Sequence, residues 1–481
     1  MNGRVVVVGA GGAGIPLAAR LAGAGREVVL VEAGGRPADA AGRRAAFGPA
    51  WTVRAGIPGG AHVWEYDALL QEGRPWRVAR GRAFGGSTAV NGAYFQRPHP
   101  TDFARWADAA GPEWSYDACL PALRRLERDL DLEETPVHGA DGPVPVQRIG
   151  GDDPLTRGFL DAAVDLGAVR EADKNGGGPS GAGLLPRNAV GAQRWDTGLA
   201  YAPLLGGVEV LADAEALRVI RRGDRAVGVE LVQAGEIRTI GAEEVVLAAG
   251  AIETPRLLRA SGVDRMVGEG LSDHAAVSIA WRPRAGVATT LRDAAWTAAW
   301  NPPAGGVAER GVEYLFAVRP GDSIVGGDPD AVGAIELRIT LAEPDSRGRV
   351  SAREEAVAIR YGHLAAPADR RALRDAVRTG IRLLRSPALA WAVDADDAHG
   401  LETGEDAALD AWIGSRLGTA LHASGTAAMG ERGVTDAHGR VRGMRGLRVA
   451  DTSLLPVVPT RGTALAAVMV GERIAELMLA E

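Results

Sequence analysis

Apolar and polar positions change period several times along the chain, and the first change carries the most information. Val5 to Val8 are four consecutive β-branched residues, the pattern of a parallel strand covered on both faces. A glycine-rich turn follows, then a helical stretch rich in Ala and Leu, then a second apolar strand, Val28 to Val31, ending on Glu32. Residues 36–79 hold Gly, Pro and three tryptophans (Trp51, Trp64, Trp76) without steady periodicity, and read as an excursion over the surface. Residues 115–134 read as one amphipathic helix opening at Ser115, and the GGGPSGAG run within 170–187 as a flexible connection. Three strand-like runs fill 208–240, the last two joined at Gly223 and Asp224 as a hairpin, and a buried strand followed by a helix fills 243–258. Further strand-like runs span Val277 to Trp281, Gly333 to Leu341 and Ala356 to Tyr361, with a helix near 372–386. Trp296 and Trp300 are spaced one helical turn apart; they would either line an aromatic substrate channel or, the reading we prefer, pack the core. The last forty residues read as a strand, a loop and an apolar helix.

The turn after the first strand is chemically specific. Gly9, Gly11 and Gly14 form GxGxxG between a strand and a helix, where glycines allow a tight turn, close backbone approach to a pyrophosphate and close helix packing. The free N–H groups of the helix start suit an anion. Glu32 lies at the roughly 20-residue offset from which an acid accepts hydrogen bonds from an adenosine ribose, which disfavours NADP. At this point NAD and FAD remain equally open. α/β pieces at both ends and in the middle, separated by segments of different character, imply an α/β chain, α+β overall, of two domains built from non-contiguous pieces. We draw the first over 1–145, 188–275 and 440–481, and the second over 146–187 and 276–439.

Composition removes several alternatives. A net charge of −7 with scattered basic residues excludes nucleic acid as the obvious partner. One cysteine, Cys119, excludes an intrachain disulfide or a cysteine metal cluster, and no metal is expected; Lys174 is the only lysine. The absence of an apolar run long enough to span a bilayer, and of room for a leader before the first strand, leads us to expect no transmembrane segment and a cytoplasmic protein.

The stretch at 80–98, RGRAFGGSTAVNGAYFQRP, clusters small residues where a backbone must approach a flat ligand. With GAIETPRLLRASGV (250–263), LSDH ending at His274, and LHASGTAAMG (421–430), it makes the chain resemble the glucose-methanol-choline oxidoreductase family, flavoproteins that oxidise alcohols. The resemblance covers nearly the whole chain. It implies a doubly wound Rossmann-like FAD-binding domain interleaved with an antiparallel-sheet substrate domain, and FAD with Gly9, Gly11, Gly14 and Glu32 at the ADP half. It places Gly86, Ser87, Asn91, Gly92 and Tyr94 along the phosphate and flavin side, Ala216 at the adenine, and Asp451 and Thr463 at the ribityl and pyrimidine end. Val90 stands where covalent members carry histidine, so non-covalent FAD is expected; His99 is read as structural.

The same resemblance puts the catalytic base at His422. A histidine suits the task because its ordinary pKa of ~6.5 leaves it able to take a hydroxyl proton near neutrality. The family's second His or Asn falls at Gly462, and no His or Asn occurs between 453 and 470. Arg461 is the candidate replacement, its fixed charge suited to an alkoxide or an acidic substrate, with an ion-pairing role the alternative. The expected activity is oxidation of a small-molecule alcohol to a carbonyl, by a dehydrogenase passing electrons to a redox partner or respiratory-chain acceptor. The chain is short for the family, which points to an open site, and it is also similar to dehydrogenases associated with mycofactocin. The alternatives are an oxidase using oxygen, and a flavin-binding protein without catalysis.

Overall fold

The computed structural model describes residues 3–37, 39–287, 296–318, 335–353, 356–394 and 401–481. The four opening valines form the strand Val5–Val8 at the centre of a five-stranded parallel sheet ordered Val208–Leu211, Val28–Val31, Val5–Val8, Glu244–Leu247, Leu447–Val449. Both faces of its inner strands are buried, which is why those strands read as unbroken apolar runs and not as alternation. Strands from both ends and the middle of the chain thus make one sheet. The helices Gly14–Gly23 and Thr463–Leu479 cross on it, so closely that a Cβ on Gly471 would sit 2.1 Å from the Ala13 carbonyl oxygen.

A second sheet is antiparallel throughout, ordered Val393–Asp394, Ala275–Pro283, Ile335–Leu341, Val312–Ala317, Trp296–Trp300, Ala182–Leu184, with Gly418–Thr419 also paired to Ala275–Pro283. Its register pairs Leu315 with Arg338 and Glu313 with Thr340, so these four share one face. Tyr314, Phe316, Leu337 and Ile339 point the other way, under the helix Pro367–Leu384, where the Tyr314 hydroxyl donates to the Ala376 carbonyl at 2.9 Å. A third sheet runs Glu269–Leu271, Gly348–Arg353, Ala356–Arg360, Val63–Gln71, Arg74–Gly81. The chain is accordingly a doubly wound α/β layer interleaved with antiparallel sheet. Among the described residues, no helix is long and apolar enough to cross a membrane.

Four expectations need correction. Residues 36–79 are not a surface excursion: they contain the helix Ala40–Phe47 and the strand Val63–Gln71, whose Asp67 to Leu69 pair with Ala358 to Arg360. Within Val63–Gln71 the alternation is present, with Tyr66, Ala68 and Leu70 buried and Glu65 and Asp67 exposed, but it spans few residues and the Gly- and Pro-containing stretches around it mask it. The helix starting at Tyr116 stops at Leu126, since Glu127 turns inward to pair with Arg97 at 2.5 Å and continues as the strand Glu127–Asp129. The glycine-rich connection is anchored, with Ala182–Leu184 in a sheet and the Lys174 ammonium buried against Glu171 at 2.6 Å. Trp296–Trp300 is a strand, and a bulge between Trp296 and Ala298 turns its two tryptophans to opposite faces: Trp296 sits beside Ala317 on the face of Leu315 and Arg338, whereas Trp300 sits beside Tyr314 and stacks on its ring. Gly333, the start of another expected strand, lies outside the described residues, whereas Cys119 is buried in packing as expected.

Candidate active site

A long cleft separates the C-terminal edge of the parallel sheet from the open face of the antiparallel one, as expected for a ligand at the ends of parallel strands. Glu32 and Ala216 line one end, Gly11, Gly86 and Ser87 the middle, and His422 the other end. Gly9, Asn91, Gly92, Tyr94, Asp451 and Thr463 also reach the cleft, so most of the expected site residues converge on it. Gly14 does not line it; it packs, with the carbonyl oxygen of Gly9 1.9 Å from where a Cβ would be.

The first end is built for a nucleotide. The Glu32 carboxylate accepts from the Ala10 N–H at 2.9 Å and the Gly34 N–H at 2.8 Å, which fixes its orientation while leaving lone pairs on both oxygens. Burial pushes its pKa up to about 7, against the pull of those backbone donors. In the middle, Gly86 has φ +52 and would place a Cβ 2.8 Å from the Gly11 Cα. Two glycine backbones therefore form a cradle that any side chain would fill. The helices Gly14–Gly23 and Thr463–Leu479 begin at the cleft, and no side chain caps either. Their free N–H groups are donors for pyrophosphate at one and for carbonyl oxygens at the other. Asp451 accepts from the Gly250 N–H at 2.9 Å and from the Thr254 hydroxyl at 2.6 Å, holding a third helix start at the cleft edge. The cradle, the buried acid and the uncapped helices fit the two-ended shape of FAD. Val90 is buried, with no nucleophile for a covalent link at that position.

At the far end the His422 ring meets His274, their Nδ1 atoms 3.0 Å apart and their planes perpendicular. His422 follows Leu421, which holds φ +62, and its own N–H donates to Asp273 Oδ1 at 2.6 Å. Asp273 also accepts from the Thr419 hydroxyl. Burial pushes the His422 pKa well below the ordinary histidine range, helped by the neighbouring His274, Arg338 and Arg80. His274 is pushed down to about 3 by burial, against the backbone carbonyls of Pro459 and Ala342, and both rings are neutral at working pH. The wall opposite carries Glu313, Leu315 and Arg338 from the antiparallel sheet, and Trp296, whose Cζ3 lies 3.0 Å from the Cβ position of Gly92.

Arg461 is not at this site. Its guanidinium is buried against Glu171 Oε1 at 2.6 Å and donates to the Lys174 carbonyl, tying the loop before the last helix to the segment 171–174. The ion-pair alternative is the one found, with a buried carboxylate. Two site features escaped the sequence reading. Arg338 sits inside an apolar strand-like run, and a charge at such a place was a usable signal. The pairing of His274 with His422 spans 148 residues and left no local trace.

The comparisons agree with this geometry. A family model described as GMC oxidoreductase matches residues 5–276 and its C-terminal counterpart residues 344–471. The chain is 33% identical to an uncharacterized GMC-type oxidoreductase of Rhodococcus erythropolis, over 99% of this chain and 98% of that one. It is 30% identical to the oxygen-dependent choline dehydrogenase of Escherichia coli K12, over 98% and 95%. Among solved structures it is similar to pyridoxine 4-oxidase from Mesorbium loti, with a TM-score of 0.88, 26% identity and 99% of both chains covered. It also shares the fold of Aspergillus oryzae formate oxidase at a TM-score of 0.89, 22% identity and 99% and 98% coverage. This chain belongs to the GMC oxidoreductase family, the FAD-dependent enzymes that act on alcohol groups.

Proposed function

We propose that the chain oxidises a small-molecule alcohol to its carbonyl, with His422 as the base and FAD held non-covalently along the cleft. The observation that carries this reading is the setting of His422: half-buried at the end of the cleft, fixed by Asp273 through its backbone N–H and by His274 through Nδ1, and held neutral. A His422 Nδ1–H donating to His274 Nδ1 leaves Nε2 as the atom that accepts the hydroxyl proton. Bound FAD supplies the hydride acceptor. Gly9, Gly11, Glu32, Ala216, Gly86 and Ser87 hold its ADP half, and Asn91, Gly92, Asp451 and Thr463 its flavin half. The wall of Leu315 and Trp296 excludes water from the reacting carbon.

For the electron acceptor we propose a dehydrogenase delivering to a redox partner or respiratory-chain carrier. The short chain supports this, through a site with fewer covering loops; a mycofactocin-linked reaction is its narrower form. The oxidase alternative is favoured by the likeness to pyridoxine 4-oxidase. Anaerobic mixing of the yellow protein with a panel of alcohols, mycofactocinol included, tests both levels. The flavin should bleach with at least one alcohol, and His422→Ala should slow bleaching by at least ~100-fold. Bleaching unaffected by that substitution refutes His422 as base. Slow recolouring in air supports the dehydrogenase, and recolouring within the mixing time supports the oxidase.

A further inference from the structure

Gly462 has no side chain because another residue already occupies its space. A Cβ built there would lie 2.5 Å from both Cε2 and the hydroxyl oxygen of Tyr94, and 2.6 Å from Cζ. The phenol is thus wedged against the backbone just before the helix Thr463–Leu479, inside the same cleft as His422. The two rings meet edge to face, with centroids 6.4 Å apart and planes at 80°.

The local backbone commits Tyr94 to that place. Ala93, immediately before it, is fully buried and holds φ +58, a left-handed conformation that strains a residue with a Cβ. The Asn91 side chain secures it by accepting from the Ala93 N–H at 3.0 Å. Leu421, immediately before His422, has the same left-handed conformation, secured by the Thr419 hydroxyl accepting from its N–H at 2.9 Å. Both side chains that face each other across the cleft are therefore aimed by a strained residue pinned by a neighbouring side chain. Among the described residues, the Tyr94 hydroxyl makes no hydrogen bond within the chain, and it shares the cleft with Glu313, Leu315, Arg338 and Trp296. Burial and the Glu313 carboxylate raise its pKa, opposed by Arg338, so it remains an O–H donor across the working range.

Building on the proposed alcohol oxidation, we infer that Tyr94 is a catalytic residue, its hydroxyl donating a hydrogen bond to the substrate oxygen as His422 removes that oxygen's proton. The proton goes to His422, the hydride goes from carbon to FAD, the C–O single bond becomes a carbonyl, and Tyr94 keeps its own proton throughout. Gly462 and Tyr94 form one unit: the phenol supplies the donor from the segment that follows Asn91, and the glycine leaves room for it.

Tyr94→Phe preserves the ring and removes only the hydroxyl. The expected result is normal FAD content and an unchanged visible spectrum, with anaerobic flavin reduction by the best alcohol slowed on the order of 100-fold. In parallel, 2,2,2-trifluoroethanol is titrated against the oxidised flavin absorbance, where Tyr94→Phe should weaken binding about tenfold. The double variant Tyr94→Ala with Gly462→Asn should regain part of the lost rate, because an amide donor enters the emptied space. Reduction within threefold of the parent, loss of FAD from Tyr94→Phe, or trifluoroethanol binding that is absent or indifferent to the hydroxyl overturns the inference. If no alcohol bleaches the parent protein, the reaction reading fails while the trifluoroethanol titration still decides the role of the hydroxyl.

Discussion

A base that must accept a proton from an alcohol has to arrive uncharged, and the surroundings of His422 enforce that. Burial is the main cause, and the positive groups Arg338 and Arg80 add to it. Protonated His422 would therefore appear only well below pH 6.5. We expect the rate of anaerobic flavin reduction to stay level as pH is lowered through 6.5; a loss with its midpoint at 6.5 or higher argues against a buried neutral base. His363, stacked on Tyr361, is pushed down to about 3 by burial and by His274. The sign for stability follows: below about 6.5 the unfolded chain takes up a proton that the folded His363 refuses. Its contribution is complete above that pH and falls by about 1.4 kcal/mol per pH unit towards pH 3. Denaturant titrations at pH 7 and 5 should show His363→Gln losing less stability over that interval than the parent. At this scale the sequence was informative for His422, which stands in a recognisable motif, and silent on Tyr94. The motif gave Tyr94 a place beside the flavin, but which way a phenol points depends on the backbone of Ala93 and on what fills position 462 across the cleft.

Among the elements, the turns between strand and helix matter most to the ligand. Gly86 makes its close approach to Gly11 from a left-handed conformation, so Gly86→Ala adds backbone strain and fills the cradle at once. Gly223 offers a control, since it has φ +64 in a hairpin and nothing lies within 4 Å of its Cβ position. Both alanine variants should lose about 1–2 kcal/mol from the conformation alone, but only Gly86→Ala should be purified with little flavin, as read from the ratio of absorbance at 450 and 280 nm. Equal flavin content in the two would mean that the cradle is not where the cofactor passes. The elements themselves were legible where one face or both are uniformly apolar, as in Val5–Val8, Glu244–Leu247 and Pro367–Leu384. They were not legible in Arg74–Gly81, where Arg74 and Arg80 share a face with Trp76 and Val78, nor in Val63–Gln71, whose alternation is brief. Trp296 and Trp300 were misread because a spacing of four suits a helix turn, whereas a bulge in the strand they form, which no local pattern announces, turns them to opposite faces.

For the whole molecule, the cleft exists because distant segments are locked together by buried polar pairs. Arg461 and Glu171 are the clearest case, both nearly inaccessible and 290 residues apart in the chain. Arg461→Ala would leave the Glu171 carboxylate with Lys174 as its remaining cation, and about 3–5 kcal/mol of stability should be lost. Chemical denaturation measures that loss, and the reduction rate per bound flavin should barely change; a selective loss of rate at unchanged stability would return Arg461 to the chemistry. The sequence by itself determined the family and the cofactor class, because those reside in contiguous motifs whose glycines are needed where the backbone meets a ligand, and the same motifs carry the proposed base, His422. Only the tertiary structure decided what stands beside the base. The phenol of Tyr94 and the guanidinium of Arg338 reach the cleft, and the imidazole of His274 packs buried against the base, from separate strands and loops, while Arg461 turns away. Which of several polar side chains faces a cavity is set by packing across the fold, where a missing Cβ at one position makes room for a ring from another.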